Sequence, residues 1–137
     1  MLISAAVCII LLRRCLTLKL REKRFTTGSN ARRIAHMYAY AVKLLGSVGI
    51  KQSGIGYIEF AKQVEERCCG KNGRRFPEGA FNTFMDTALR SSFGQRSAGN
   101  ADAESCRKFV DTLSANIYEE SGWLRRLSLR YLSVLSR

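Results

Sequence analysis

Apolar residues recur at spacings of three and four along most of the chain from Asn30 onward. Ile34, Met37, Ala41 and Leu44 are one such series. This period belongs to one face of an α-helix, whereas a half-buried strand requires a period of two, which no stretch sustains over more than a few residues. The pattern predicts an all-α fold without a sheet, in which the apolar stripes pack together as a compact antiparallel bundle.

About five short helices are predicted within this bundle. Asparagine is a favourable helix cap, glycine ends helices, and proline is common at the first helical position, so these residue types set the predicted boundaries. In chain order the predicted helices run from Asn30 to Gly49, from Tyr57 through Val64, from Pro77 with Glu78 in its first turn to Gly94, from Asn100 to Ser121, and from Trp123 onward.

The first 25 residues differ in character from the rest. Residues 1–12 carry no charged side chain, and the next twelve carry six basic residues against the single acid Glu22. A secretory signal has its charges before its apolar core, which is the reverse order. The order found here is typical of a membrane helix leaving the bilayer on the cytoplasmic side, where Lys and Arg accumulate. We therefore predict two parts, an apolar and basic membrane-proximal helix over 1–25 and a helical bundle over 30–137.

The apolar run is short for a membrane span. Twelve helical residues extend about 18 Å, against a hydrocarbon core about 30 Å thick. Three interpretations stay open. The segment could lie in the lipid interface with Arg13 and Arg14 on anionic headgroups, the natural polypeptide could begin before Met1, or the run could be a buried helix of a soluble domain.

Charge is the second constraint on function. The chain holds 23 basic and 11 acidic residues, a net charge of +12, which suits either nucleic acid or lipid headgroups. Residues 121–137 contain no acid, and arginines alternate there with Trp123 and Tyr131. This mix suits a lipid interface or a phosphate backbone, and the alternative is an ordinary helix with an apolar face and a cationic end that complements its dipole. We expect Leu124, Leu127, Tyr131 and Leu135 to pack on the bundle. The candidate contacts with an anionic surface are Arg13, Arg14, Arg125, Arg126 and Arg130.

Catalytic and metal-binding patterns are absent from the sequence. It contains five cysteines without a C-x-x-C pair and one histidine, His36, so neither a Cys–His nucleophile nor a zinc site is indicated. The cysteine pattern fits a reducing compartment, with Cys106 as a small core residue. Glu59, Glu65 and Glu66 are predicted to form a solvated helix face. We predict no enzyme activity, no cofactor and no metal.

Three stretches resemble a known family. They are RRIAHMYAYAVKLLGSVGIKQSGIGYIEFAKQVEER, FNTFMDTALRSSFG and IYEESGWLRRLSLRYL, and they are similar to a helical domain of unknown function at the cytosolic C-terminus of bacterial membrane proteins with a transglutaminase-like domain. Glu59-Phe60-Ala61 and Phe93-Gly94 match its helix boundaries, while Gly54-Ile55-Gly56 replaces its usual Thr-Pro. The family's catalytic Cys, His and Asp lie in an upstream extracytoplasmic domain, so the resemblance assigns no catalytic residue here.

The leading hypothesis is therefore a non-catalytic cytosolic module for binding or regulation, tethered to the cell membrane. Its expected partners are the anionic inner leaflet, an upstream membrane domain or another protein. The alternative is a small basic nucleic-acid-binding helical protein. Nucleic acid is the less favoured partner, because no recognition motif is visible and the apolar run 1–12 would have no role in it.

Overall fold

Six α-helices make up the part of the chain that the computed structural model describes, which is residues 2–70, 76–94 and 97–129, with side chains from residue 5. No strand occurs in these ranges, so the predicted all-α bundle is confirmed. The helices are α1 (Leu2–Thr26), α2 (Asn30–Ser47), α3 (Tyr57–Cys68), α4 (Ala80–Ser92), α5 (Asn100–Glu120) and α6 (Trp123–Leu127). None of the described helices combines the length and the apolar character needed to cross a membrane.

The centre of the bundle is the pair α2 and α5, which run parallel. At their first turns the Asn30 side-chain amide donates to the carbonyl of Ala98, just before α5, at 3.1 Å. At their last turns Arg125 donates to the carbonyl of Ser47, and its neighbour Arg126 donates to that of Tyr118. The sequence predicted an antiparallel bundle. The central pair departs from that because α2 and α5 are not consecutive helices and no short loop sets their direction.

The predicted apolar stripes do form the core. Their buried members on α2 are Ile34, Met37, Ala41, Leu44 and Leu45, and Cys106 on α5 is also buried, as predicted. Phenylalanine rings from α3, α4 and α5 fill the centre, with the rings of Phe84 and Phe109 stacked at 4.6 Å and those of Phe60 and Phe81 edge to face at 5.7 Å. Such pairs add to the stability that burial alone provides. The phenylalanine rings therefore pack α4 against both α3 and α5.

Two helices begin with a different residue from the predicted cap. Ser29 rather than Asn30 caps α2, with its hydroxyl accepting from the backbone N–H of Arg32. Before α5, the carboxylate of Asp102 reaches back to accept from the backbone N–H of Gly99 at 3.0 Å. Asn30 is then available to bridge α2 to the segment before α5, a tertiary contact that local propensity does not encode.

The start of α4 also departs from the prediction. Pro77 and Glu78 lie in the preceding turn, Gly79 adopts a left-handed conformation with φ of 83°, and the helix begins at Ala80. The carboxylate of Glu65 on α3 accepts from the backbone N–H groups of Gly79 (3.0 Å) and Asn82 (2.8 Å). These N–H groups have no partner within the helix, and the positive end of the helix dipole favours a carboxylate there. The prediction that Glu65 is merely solvated is wrong.

The predicted packing of the last apolar stripe is wrong where the structure describes it. Trp123, Leu124 and Leu127 of α6 are all exposed, whereas Leu129, two residues beyond the helix, is buried. The other members of that stripe, Tyr131 and Leu135, lie outside the described residues. α6 holds only five residues and crosses the ends of α2 and α5 instead of lying along the bundle.

Replacing Glu65 should destabilise the fold. We expect Glu65→Ala to lower the free energy of unfolding by about 1–2 kcal/mol, since two N–H groups at the start of α4 lose a charged acceptor. Glu65→Gln, which keeps an acceptor oxygen, should lose less. Denaturant unfolding of both, beside the exposed Glu59→Ala on the same helix, measures the difference. Equal losses in Glu65→Ala and Glu59→Ala would contradict this role.

Candidate functional site

The first half of α1 exposes apolar side chains around its full circumference. Every residue from Ala5 to Arg13 is exposed. The four consecutive residues Ile9, Ile10, Leu11 and Leu12 have exposed fractions of 65%, 37%, 48% and 62%. Consecutive residues of a helix point about 100° apart, so these four cover the whole circumference. We call residues 5–12 the projecting half of α1. A helix that is apolar on every side is normally enclosed by protein or lipid.

Further along α1 the exposed surface becomes one-sided. Leu12, Leu16 and Leu20 are exposed and recur every four residues, so they form a stripe along the side facing away from the bundle. Exposed basic residues lie around this stripe; Arg13 is on one side, Lys19 and Lys23 are on the other, and Arg24 follows Leu20 at the same spacing of four. Exposed apolar residues with Lys and Arg beside them suit contact with the boundary between lipid and water.

The opposite side of α1 packs on the bundle near its C-terminal end. Phe25 is buried, and its carbonyl accepts from Nε of Arg33 on α2 at 2.7 Å. Arg21 donates to the hydroxyl of Tyr40 at 2.6 Å, and its guanidinium lies 4.8 Å from the centre of that ring. Because Phe25 lies beside Arg33, and Arg21 beside the later residue Tyr40, the two helices are antiparallel. The end of α1 therefore belongs to the bundle instead of standing apart from it.

Arg107 of α5 holds the end of α1 through a charge network. Its Nη2 donates to both carboxylate oxygens of Glu22 (3.0 and 2.9 Å), and its Nε donates to Asp111 at 3.0 Å. The guanidinium also lies 5.3 Å from the ring centre of Phe25. Partial burial disfavours the charged form of Arg107, but its hydrogen bonds to the Glu22 and Asp111 carboxylates outweigh that effect and raise the pKa of Arg107 above its ordinary value.

A groove of about 330 Å³ lies beside this network, between α1, α2 and α5. Its walls include Arg21, Glu22, Tyr40 and Arg107, and it extends to Glu119 near the end of α5. Because the cationic side chains in it already face acidic or phenolic partners, the groove does not present a concentrated charge to a ligand. We interpret it as the seam that attaches α1 to the bundle.

The predicted anionic-surface contacts do not form one cluster. Arg13 is exposed on the outer face of α1, whereas Arg14 is half-buried. Arg125 and Arg126 cap the ends of α2 and α5, and Arg126 also donates to the carbonyl of Glu119 and lies over the ring of Tyr118 at 5.5 Å. Arg130 lies outside the described residues. Arg13, Arg125 and Arg126 are all exposed, and the last two also bond to backbone carbonyls.

The two capping arginines have a clear physical reason. Each helix carries a partial negative charge at its C-terminus, and the parallel packing of α2 and α5 brings two such ends together. Arg125 donates to a carbonyl at the end of α2, and Arg126 donates to carbonyls at the end of α5. Their positive charges offset both partial negative charges. The sequence left open that these arginines complement the dipole of their own helix. In the structure they lie at the C-terminal ends of two other helices, α2 and α5.

The cysteines and His36 show no arrangement for catalysis. Among the described residues, no group of three or more His, Cys, Asp or Glu side chains is placed to hold a metal ion. All five cysteines are free thiols, and His36 is half-buried. Burial and the neighbouring Glu65 carboxylate raise the pKa of Cys69 to about 12, and burial with a contribution from Asp102 raises that of Cys106 to about 11. Both stay protonated near neutral pH, where a nucleophile requires the thiolate.

Sequence reasoning missed the residues that position α1. Arg107 and Asp111 are four residues apart on α5, which identifies an ion pair on one helix face. Nothing local connects Arg107 with Glu22, which lies 85 positions earlier in the chain. The stripe of Leu12, Leu16 and Leu20 has a visible spacing of four, but its exposure depends on which side of α1 the bundle covers.

Comparisons with protein-family models, with curated proteins and with solved structures gave no match for this chain.

Removing the capping arginines should destabilise the bundle. We expect Arg125→Gln and Arg126→Gln each to lower the free energy of unfolding by about 0.5–1 kcal/mol, because a carbonyl cap and a favourable charge are lost at a helix end. Arg13→Gln, at a position that is exposed in the middle of α1 and away from any helix end, serves as the control with the same change of charge. Thermal unfolding measures the effect. If all three variants melt together, these arginines are ordinary solvated side chains.

The buried thiols should resist modification in the folded protein. A variant with Cys8, Cys15 and Cys68 changed to Ser keeps only Cys69 and Cys106. At pH 8 we expect it to react with a thiol reagent only after denaturant is added, because both thiols are buried and protonated. Absorbance of the released chromophore follows the reaction. Rapid labelling without denaturant would show that these sites open or ionise far more readily than their burial indicates.

Proposed function

We propose that this chain is a non-catalytic helical module attached to the cytoplasmic face of a cell membrane by α1. The projecting half of α1 would enter the lipid, and the bundle would remain in the cytoplasm for binding or regulation. The observation that carries this proposal is the exposure of Ile9, Ile10, Leu11 and Leu12 around the full circumference of the helix. A helix lying flat would need only one apolar side, so exposure on all sides favours insertion by the end.

The energetics support a membrane as the environment of this segment. Full burial of a Leu or Ile side chain is worth about 1.5–3 kcal/mol, so covering several that are half exposed yields on the order of 5 kcal/mol. Each Lys or Arg near an anionic surface adds about 1 kcal/mol. Arg13 is exposed directly after the apolar residues, where headgroup phosphates would lie, and Lys19 is exposed less than two turns further along. Nucleic-acid binding would use these charges but would leave the projecting half in water.

The resemblance to the C-terminal domain of transglutaminase-like membrane proteins agrees with this proposal. In that arrangement a membrane helix with a basic exit leads into a cytosolic helical domain. α1 has this order of apolar and basic residues, and it leads through a short turn into α2. On this basis we propose an upstream membrane domain or a partner protein as the further partner of the bundle.

Making the projecting half polar should release the protein from membranes. We expect a variant with Ile9, Ile10, Leu11 and Leu12 changed to Gln to stop floating with vesicles of mixed neutral and anionic lipid in a density gradient. Its free energy of unfolding should stay within about 0.5 kcal/mol of the parent, since substitutions at exposed positions cost little.

The matched control is the pair Tyr57→Gln and Ile58→Gln. These residues are also exposed and apolar but lie at the start of α3. The control should float like the parent protein, and high salt should weaken flotation of both by screening the basic residues. Flotation of the fourfold variant equal to that of the parent would refute the proposed tether.

A further inference from the structure

We infer that Trp123, Leu124 and Leu127 of α6 form a second lipid contact, which turns the end of the bundle where α2 and α5 finish toward the membrane. This inference rests on the proposed tether and deepens it, because it states how the tethered domain is oriented. Trp123 has 70% of its surface exposed, and Leu124 and Leu127 are exposed beside it. Three large apolar residues within five positions make an exposed patch that water does not favour.

Contacts before and after α6 hold it in place. The exposure of its apolar residues therefore does not result from a flexible chain. Before it, the buried Ser121 donates its hydroxyl to the carbonyl of Ile117 at 2.6 Å. After it, Leu129 is 3% exposed and lies in the core. Between these points Arg125 and Arg126 are bonded to the ends of α2 and α5. These arginines bond back to the bundle, whereas the apolar side chains of Trp123 and Leu124 before them and of Leu127 after them are exposed.

α6 lies at the end of the bundle toward which α1 projects. α1 is antiparallel to α2, so its C-terminal end lies at the first turns of α2 and its N-terminal end points toward Ser47. The carbonyl of Ser47 accepts from Arg125. With 25 residues against 18, α1 is also about 10 Å longer than α2. The projecting half therefore extends beyond the same end of the bundle that carries the α6 patch. A lipid surface that receives one would be next to the other.

The chemistry of the α6 patch fits a lipid interface in particular. Tryptophan concentrates at the level of the headgroups, where its ring is covered and its N–H remains hydrated. The described residues from 121 to 129 include two arginines and no acid. An apolar protein partner would satisfy the leucines equally well, but it would not require the patch to lie beside the projecting half of α1.

Trp123 is the only tryptophan in the chain, so its emission reports on this patch alone. The full chain is reconstituted into vesicles of neutral and anionic lipid, some of which carry bromine on their acyl chains. We expect brominated lipid to quench Trp123 and aqueous iodide to quench it poorly. Changing Leu124 and Leu127 to Ser should reduce quenching by bromine while leaving flotation intact, because α1 still holds the protein.

Phe93 provides the matched control. It is 72% exposed, close to the 70% of Trp123, but it follows α4. The last turns of α4 border Ala98 and the first turn of α5, and Ala98 is bonded to Asn30. Phe93 is therefore at the opposite end of the bundle. In the variant Trp123→Phe with Phe93→Trp, we expect the pattern to reverse, with strong quenching by iodide and little by brominated lipid.

The outcomes separate this inference from the proposed tether. If the protein floats with vesicles but iodide quenches Trp123 as strongly as it quenches the tryptophan at position 93, the tether stands and the oriented contact is wrong. If Trp123 is shielded from iodide without being quenched by bromine, a protein surface covers the patch and the inference is again wrong. If the parent protein does not float, both the tether and the inference fail.

Discussion

The parallel packing of α2 against α5 is the constraint from which much of the remaining structure follows. Parallel helices bring like ends together, so two partial negative charges and two sets of unpaired carbonyls meet where α2 and α5 end. Arg125 and Arg126 are adjacent in sequence and each reaches one of these ends. At the other end, Asn30 joins α2 to the residue pair before α5 through the carbonyl of Ala98. The short helix α6 crosses the helix ends because its two arginines are bonded there.

The direction of α1 follows from the same frame. Arg107 on α5 and Tyr40 on α2 both bind the last third of α1, through Glu22 and Arg21. These contacts fix which side of α1 faces the bundle. They leave the leucine stripe, the basic residues around it and the whole projecting half without cover from the bundle. The surface that we propose to meet lipid is therefore what remains after the polar contacts of α1 are made.

Much of the fold could be predicted because its determinants are local. Helix periodicity identified the buried face of α2, and five members of that face, Ile34, Met37, Ala41, Leu44 and Leu45, are in the core. The order of apolar and basic residues in the first 25 positions was also visible, and the structure exposes the side chains from Ala5 to Arg13. The site was predicted less well. Of the five arginines named as surface contacts, Arg125 and Arg126 donate to carbonyl groups at the ends of α2 and α5, whose partial negative charges favour a cation.

The sequence by itself determined which segments are helical, which side of most helices is apolar, and where positive charge concentrates, since each depends on residues within a few turns of one another. Only the tertiary structure decided that α2 and α5 are parallel, that Glu65 caps α4 and that Trp123 faces outward. These features join residues that are 14 to 78 positions apart. A side chain far along the chain can supply a hydrogen bond or a charge only after the helices have packed. For that reason no local sequence pattern predicts these contacts.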